Sequence, residues 1–265
     1  MNAGEKNEFL LKIYLTYLRD NNPELDTPFG KINKVGFEKN YKRVPKDLDF
    51  DLLEKNEEKS DREIKKIMKE LSIEKAPPLS KADIYINNVS YSLKFLNAAP
   101  PSIVNHTNRK GFINIANKLK LNIGSLDKLI DKYWDLRIKG KIGEDVKNSE
   151  ENSPFKNHKD VIKPYLEYFC FTGTGSKDSK HPADKIFKFF HYKDQKTWSI
   201  LEKFEAIDEI WDGLKFCMRG GRGMPIKNKK CGYKMSKDKK IIAPWTRFSS
   251  KKYRGALSIR YKSPG

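Results

Sequence analysis

No segment of this 265-residue chain approaches the roughly eighteen consecutive apolar residues that a membrane span requires, so no membrane partner is expected. The first residues do not show the basic, apolar and small-residue succession of a secretory signal, and a cytoplasmic location is expected. Cysteine is scarce. Cys170, Cys217 and Cys231 have neither zinc-site spacing nor the even count of a disulfide framework, which fits a reducing compartment. A GxxxxGK[ST] phosphate loop is absent, and the glycine-rich GTGSKDSK that follows YLEYFCFT reads as a tight turn. No fixed-length repeat or heptad is visible. Acids nearly vanish at one end: residues 215–265 hold 16 Lys+Arg and one acid, Asp238.

That basic block supplies most of the net charge of +19, whereas residues 1–80 balance 16 basic against 16 acidic side chains. A concentrated surplus favours a polyanion, because displacing condensed counterions from phosphates drives sequence-independent affinity. A disordered tail or a solvated face is the plainer alternative. Against disorder stand Trp245, Phe248, Tyr253, Leu257, Ile259 and Tyr261, which can be buried. With 37% hydrophobic and 12% aromatic residues, the chain can build a substantial core.

The most informative stretch is KADIYINNVSYSLKFL, residues 81–96. It is rich in β-branched and aromatic residues with Asn87-Asn88 at its centre, which predicts a β-hairpin closed by a two-residue loop. Ile86 then faces Val89 and Ile84 faces Tyr91, with Leu93 and Phe95 continuing one wholly apolar side. The other side sets Asp83 opposite Ser92, with Lys94 one step further. Cross-strand neighbours lie about 5 Å apart and diagonal ones about 7–8 Å. An acid and a lysine converge where packing requires neither. Such a carboxylate suits Mg²⁺, which takes few protein carboxylates and completes its shell with water and phosphate. Metal-bound water is a stronger nucleophile, and a neighbouring lysine can orient it or offset developing charge. A surface hairpin with a solvated charge pair is the structural alternative.

This arrangement resembles the PD-(D/E)xK nuclease core, in which an aspartate on one strand and an acid-x-lysine on the next form the active site. Asp83 matches the aspartate and Lys94 the lysine, while Ser92 stands where most members carry Glu or Asp. The chain looks like a type II restriction endonuclease of that superfamily, most sharply over residues 80–112. The resemblance implies an α/β (α+β) fold with a mixed central β-sheet flanked by helices. It also implies double-stranded DNA as substrate, Mg²⁺ as cofactor, commonly a homodimer, and a cognate DNA methyltransferase in the same system that is not a physical partner. One endonuclease domain over 1–265 is expected, with 1–214 as catalytic core and 215–265 as basic, β-rich DNA-binding elements.

Elsewhere the chain carries several further signals. Residues 5–19 repeat Phe9, Leu10, Ile13, Tyr14 and Tyr17 at helical spacing. Glu8 in its first turn either complements the helix dipole or, as in several similar families, joins Asp83 as a metal ligand; Glu5 is the fallback. Short strands and loops are expected over 27–53, and a charged helix over 54–72 ending before Pro77-Pro78. Residues 98–112 read as a polar loop whose Ser102, Asn105, His106, Thr107, Asn108 and Arg109 can touch phosphates or base edges. Its Asn-His element also occurs in ββα-metal nucleases, but the paired ligands are missing.

Ser125 is a credible N-cap for a helix to about residue 139, stopped by Gly140. Residues 144–157 read as a surface loop, 165–172 as a buried strand, and 198–218 as helical around Phe204, Ile207, Ile210 and Leu214. MRGGRGMPIK places Arg219 and Arg222 among glycines, suited to guanine edges or phosphates. Residues 241–261 read as strands, with Arg247, Arg254 and Arg260 available to grip a DNA backbone. Two rivals share these features: a structure-specific repair or recombination nuclease of the same fold, and a non-enzymatic basic nucleic-acid-binding protein.

Overall fold

A computed structural model describes residues 1–97, 101–220, 243–250 and 252–261. Its strands are β1 (Val35–Gly36), β2 (Ile84–Ile86), β3 (Val89–Phe95), β4 (Ser102–Asn108), β5 (Asp145–Lys147), β6 (Lys185–Phe189), β7 (Ser199–Glu202), β8 (Leu214–Arg219), β9 (Arg247–Ser249), β10 (Lys252–Arg254) and β11 (Ala256–Tyr261). Its α-helices are α1 (Ala3–Asn21), α2 (Phe50–Glu54), α3 (Glu58–Glu70), α4 (Arg109–Leu119), α5 (Ile123–Ile138), α6 (Lys159–Glu167) and α7 (Lys203–Ile210). The fold is mixed α+β. No helix among the described residues is long and apolar enough to cross a membrane. The chain divides into two compact units, Met1–Ala99 with Ser179–Ala206, and Pro100–Asp178 with Ile207–Gly265. The division expected at residue 214 is not a structural one, since β8 starts there within the second unit.

In the first unit a five-stranded sheet runs β1-β2-β3-β6-β7. Only the β3–β6 pair is parallel, which makes the sheet mixed. The hairpin forms as its sequence dictates: Ile84 pairs with Tyr91 and Ile86 with Val89. Asn87 and Asn88 both adopt positive φ (50° and 69°), the conformation a tight two-residue hairpin loop needs. Asn87 also ties the loop down, accepting from the backbone N–H of Asn33 (2.8 Å) and donating to the carbonyl of Lys31 (2.8 Å).

Helix α1 starts at Asn2, whose side chain accepts from the Glu5 N–H, and buries Phe9, Leu10, Leu11 and Ile13. These residues share one core with Ile84, Ile86, Tyr91, Leu93 and Phe187. Burying each such side chain contributes roughly 1.5–3 kcal/mol, so the hairpin's apolar face fixes which way its polar face points. The charged helix begins at Glu58 rather than residue 54, because α2 occupies 50–54 with Asp49 capping it.

In the second unit a four-stranded sheet runs β4-β11-β8-β5, all pairs antiparallel, beside a two-stranded β9–β10 ribbon. Several expectations are corrected here. The described part of the 98–112 segment is not a loop: β4 pairs with β11, and Asn108 caps α4 by accepting from the Gly111 N–H (3.1 Å). A partner strand far downstream overrides its polar composition. The 144–157 segment contains β5 and the buried Phe155, which stacks on Phe216 at 4.2 Å.

YLEYFCFT is helical, ending α6 and continuing as a π-helical turn over Tyr168–Thr172. A short apolar run cannot distinguish a buried strand from a buried helix by periodicity alone. The α5 cap is Asn122, not Ser125, and the stop at Gly140 (φ 67°) stands. Helix α7 ends at Ile210, Leu214 opens a strand, and Phe204 is exposed. Arg222, most of the glycine-rich loop and Cys231 lie outside the described residues.

Candidate functional site

The hairpin's polar face brings Asp83, Ser92 and Lys94 together. The Asp83 Oδ2 accepts the Leu93 N–H at 2.8 Å and lies 3.4 Å from the Ser92 Oγ. The Lys94 ammonium donates to the Ser92 Oγ (2.8 Å) and to the Leu93 carbonyl (3.1 Å). Among the described residues no ion pair within 4.0 Å joins Asp83 to Lys94, and Oδ1 of Asp83 accepts no hydrogen bond. Their charges are held near one another by Ser92 without quenching each other. An ordinary surface ion pair would close that gap, and many such pairs contribute little anyway.

The parallel strand β6 and the residue just before it add two groups to this face that no local sequence pattern announces. Lys188 pairs in register with Lys94 and is buried. Asp184 accepts from the Ser90 N–H (3.0 Å) and Oγ (2.7 Å), which places a second carboxylate one strand over from Ser90. The β3–β6 register joins positions 94 residues apart in sequence, and no local pattern announces it.

Glu8 is placed elsewhere. It forms an ion pair with the fully buried Lys12 (2.8 Å) on α1, whose apolar residues share the core with Ile84, Tyr91 and Leu93, the face opposite Ser92 and Lys94. Glu5 pairs with Lys75 (2.9 Å). The structure therefore gathers three of the four expected catalytic residues and leaves Glu8 on a neutralising duty. Among the described residues no group of three His, Cys, Asp or Glu side chains is placed to hold a metal. The fit to Mg²⁺ rests on two hard oxygen donors, the Asp83 carboxylate and the Ser92 hydroxyl; Asp184 stands across β3 from Asp83, beside Ser90, and does not join them. That set suits a cation that keeps most of its water.

The expected DNA-contacting residues among the described ones all lie in the second unit. Asn105 and His106 are exposed where the β4–β11 register shifts, and His106 has φ 45°. Such irregularities re-aim side chains out of a ladder. Although the residue as a whole is exposed, partial desolvation of its ring, helped by Arg219 and Arg260, holds the His106 pKa below its ordinary value of 6.5. Asn108 is engaged as the α4 cap.

Most of the arginines already have acidic partners. Arg109 grips Asp127 with two bonds (2.8 and 2.6 Å). Arg219 meets Glu144 (2.8 Å) and Asp145 (2.9 Å). Arg254 is buried against Glu144, and Arg247 reaches Asp131 (3.1 Å). Arg260 is exposed and shares a cross-strand row with Ser102, Lys215 and Lys147. Three cations in adjacent positions repel one another. Among the described residues only Lys215 of the three has an acid within ion-pair distance, Asp145 at 3.2 Å. Lys147 and Lys215 escaped sequence reasoning because their alignment depends on the β5–β8–β11 register. The basic C-terminal block as a whole was legible; the distant acids at 131, 144 and 145 that pair with its arginines were not.

Comparison with protein-family models, curated proteins and solved structures returns no match for this chain. The functional reading comes from its own side chains.

Proposed function

We propose that this protein is a divalent-cation-dependent nuclease acting on double-stranded DNA, working in the manner of a PD-(D/E)xK type II restriction endonuclease. The observation that carries the reading is the Asp83–Ser92–Lys94 relay on one face of a hairpin whose other face is locked into the core. The mixed sheet is consistent with the fold that the resemblance implies. Asp83, with Ser92 beside it, would hold Mg²⁺, which when bound supplies Lewis acidity and a more acidic water. The Leu93 N–H fixes one oxygen of Asp83 and so orients the other. Lys94, steadied by Ser92, positions the attacking water and offsets negative charge as the phosphorus–oxygen bond to the leaving strand breaks. A homodimer reading a palindromic site and a companion methyltransferase belong to the same proposal.

A second reading is a basic nucleic-acid-binding protein without hydrolytic activity. The Lys147–Lys215–Arg260 row favours it, because that row needs no contribution from the hairpin. Digestion of a sequenced plasmid with Mg²⁺, followed by sequencing of the ends, separates the possibilities. Discrete ends at one short sequence support the restriction enzyme. Junction-specific cutting or smearing supports the repair nuclease, and tight salt-sensitive binding without hydrolysis in Mg²⁺ or Mn²⁺ supports the binding protein.

A further inference from the structure

Within the second unit, a cavity of 460 Å³ is lined by Trp134, Arg137, Glu144, Arg247, Phe248 and Ser249, among others. Its size falls in the range of small-molecule sites. Glu144 at its wall draws three guanidiniums: Arg219 at 2.8 Å, Arg254, and Arg137 at 3.6 Å. One carboxylate can accept from all three but offsets only one of their charges. Arg137, only 15% exposed, reaches Ser249 at 3.4 Å and Glu144 at 3.6 Å, both long for a charged hydrogen bond. Among the described residues the buried Nε of Arg254 has no partner at all.

Arg247 stands directly across the β9–β10 ribbon from Arg254, so two like charges face each other. Its guanidinium also donates to the carbonyls of Pro244 (2.8 Å) and Thr246 (3.1 Å), which hold it in place but leave its charge uncompensated, and its contact with Asp131 is solvent-exposed and gives way at little cost. The lining also presents Phe248, 61% exposed, held edge-on by Tyr253 at 5.2 Å. Guanidiniums that outnumber their carboxylate partners, beside an exposed aromatic ring, suit an anion that carries a flat ring.

We infer that this cavity binds a phosphorylated nucleoside, with the phosphate met by Arg137 and Arg247 and the base packed on Phe248. Guanidinium forks match phosphate oxygens, and a base stacks on an aromatic side chain whatever its sequence. The ligand is either a free mononucleotide or a nucleotide unit of a DNA strand. This site is separate from the hairpin, and a failure of DNA cleavage leaves it standing.

The test is calorimetric titration of the full chain in EDTA with inorganic phosphate, dAMP and a 5′-phosphorylated tetranucleotide. dAMP is expected to bind at least about tenfold tighter than phosphate. Phe248→Ala should remove that advantage while leaving phosphate binding unchanged, and Arg247→Gln should weaken both ligands. Both positions are partly exposed, so the variants should fold; unaltered circular dichroism and melting temperature check this. Tetranucleotide binding matching dAMP places the ligand in a strand, and dAMP binding alone marks a free nucleotide. Equal affinity for dAMP and phosphate, no binding of either, or indifference to both substitutions would overturn the inference.

Discussion

The two units of this chain treat charge in opposite ways. The first, with 24 basic and 21 acidic residues, is nearly balanced, whereas the second carries 30 against 14. In the first, a few polar groups sit on the back of a sheet whose other face is core, and their positions follow from packing. In the second, most of the candidate arginines are absorbed by Asp127, Asp131, Glu144 and Asp145, and the surplus collects along cross-strand rows. The difference teaches that net charge and usable charge are separate quantities. Under the proposed function, the precise pair of groups does the chemistry on a bond and the broad surplus holds a polyanion.

That division of labour can be broken at either end. The largest expected effect is on rate: Lys94→Ala should slow cleavage by about 10²–10³-fold, the usual cost of removing one donor that stabilises developing charge. Ser92→Ala should cost less, because it loosens Lys94 without removing it. Single-turnover cleavage of a labelled duplex reads both. Next comes stability. Glu8→Ala leaves the buried Lys12 ammonium without its partner and should destabilise the first unit by about 3 kcal/mol. Urea unfolding measures this loss. If Glu8 were instead a metal ligand, its removal would change the Mg²⁺ dependence of cleavage and leave stability nearly untouched.

Smaller effects should sharpen the second unit's role. Changing Lys147, Lys215 and Arg260 together to Gln should flatten the dependence of log affinity on log salt, by about 0.9 for each phosphate that no longer meets a cation. The cleavage rate at saturating DNA should stay the same. The subtlest test uses His106. Its depressed pKa means that the folded state favours the neutral imidazole, so its contribution to stability is present above pH 6.5 and is lost as pH falls toward the folded value. A bound phosphate backbone would screen Arg219 and Arg260 and raise that pKa, which proton NMR of the ring resonances can follow. No rise on adding duplex DNA would place the nucleic acid elsewhere.

How much of this was legible from sequence depends on the range of the interaction. The hairpin could be read in full, turn included, because alternation and the Asn87-Asn88 loop are local signals. The core stripes of α1, α3 and α5 were equally visible at helical spacing. What stayed hidden was long-range. The β3–β6 pairing brought Lys188 and Asp184 to the polar face, and the β4–β11 pairing turned an apparently polar loop into a strand. The helical state of YLEYFCFT was ambiguous for want of length. The Glu8–Lys12 pair has the i,i+4 spacing of a helix ion pair, but the complete burial of Lys12, which gives Glu8 its neutralising role, depends on tertiary packing.

In the proposed function the polar face of the hairpin performs hydrolysis while the second unit supplies grip. Asp83→Asn tests it most directly, since the amide keeps the shape and can still accept the Leu93 N–H. Cleavage and binding would be measured on one labelled duplex, with Mg²⁺ for the first and Ca²⁺ or EDTA for the second. Cleavage should disappear and the binding isotherm should remain within about twofold of the parent. Cleavage at the parent rate, or loss of binding together with cleavage in a folded variant, would contradict it.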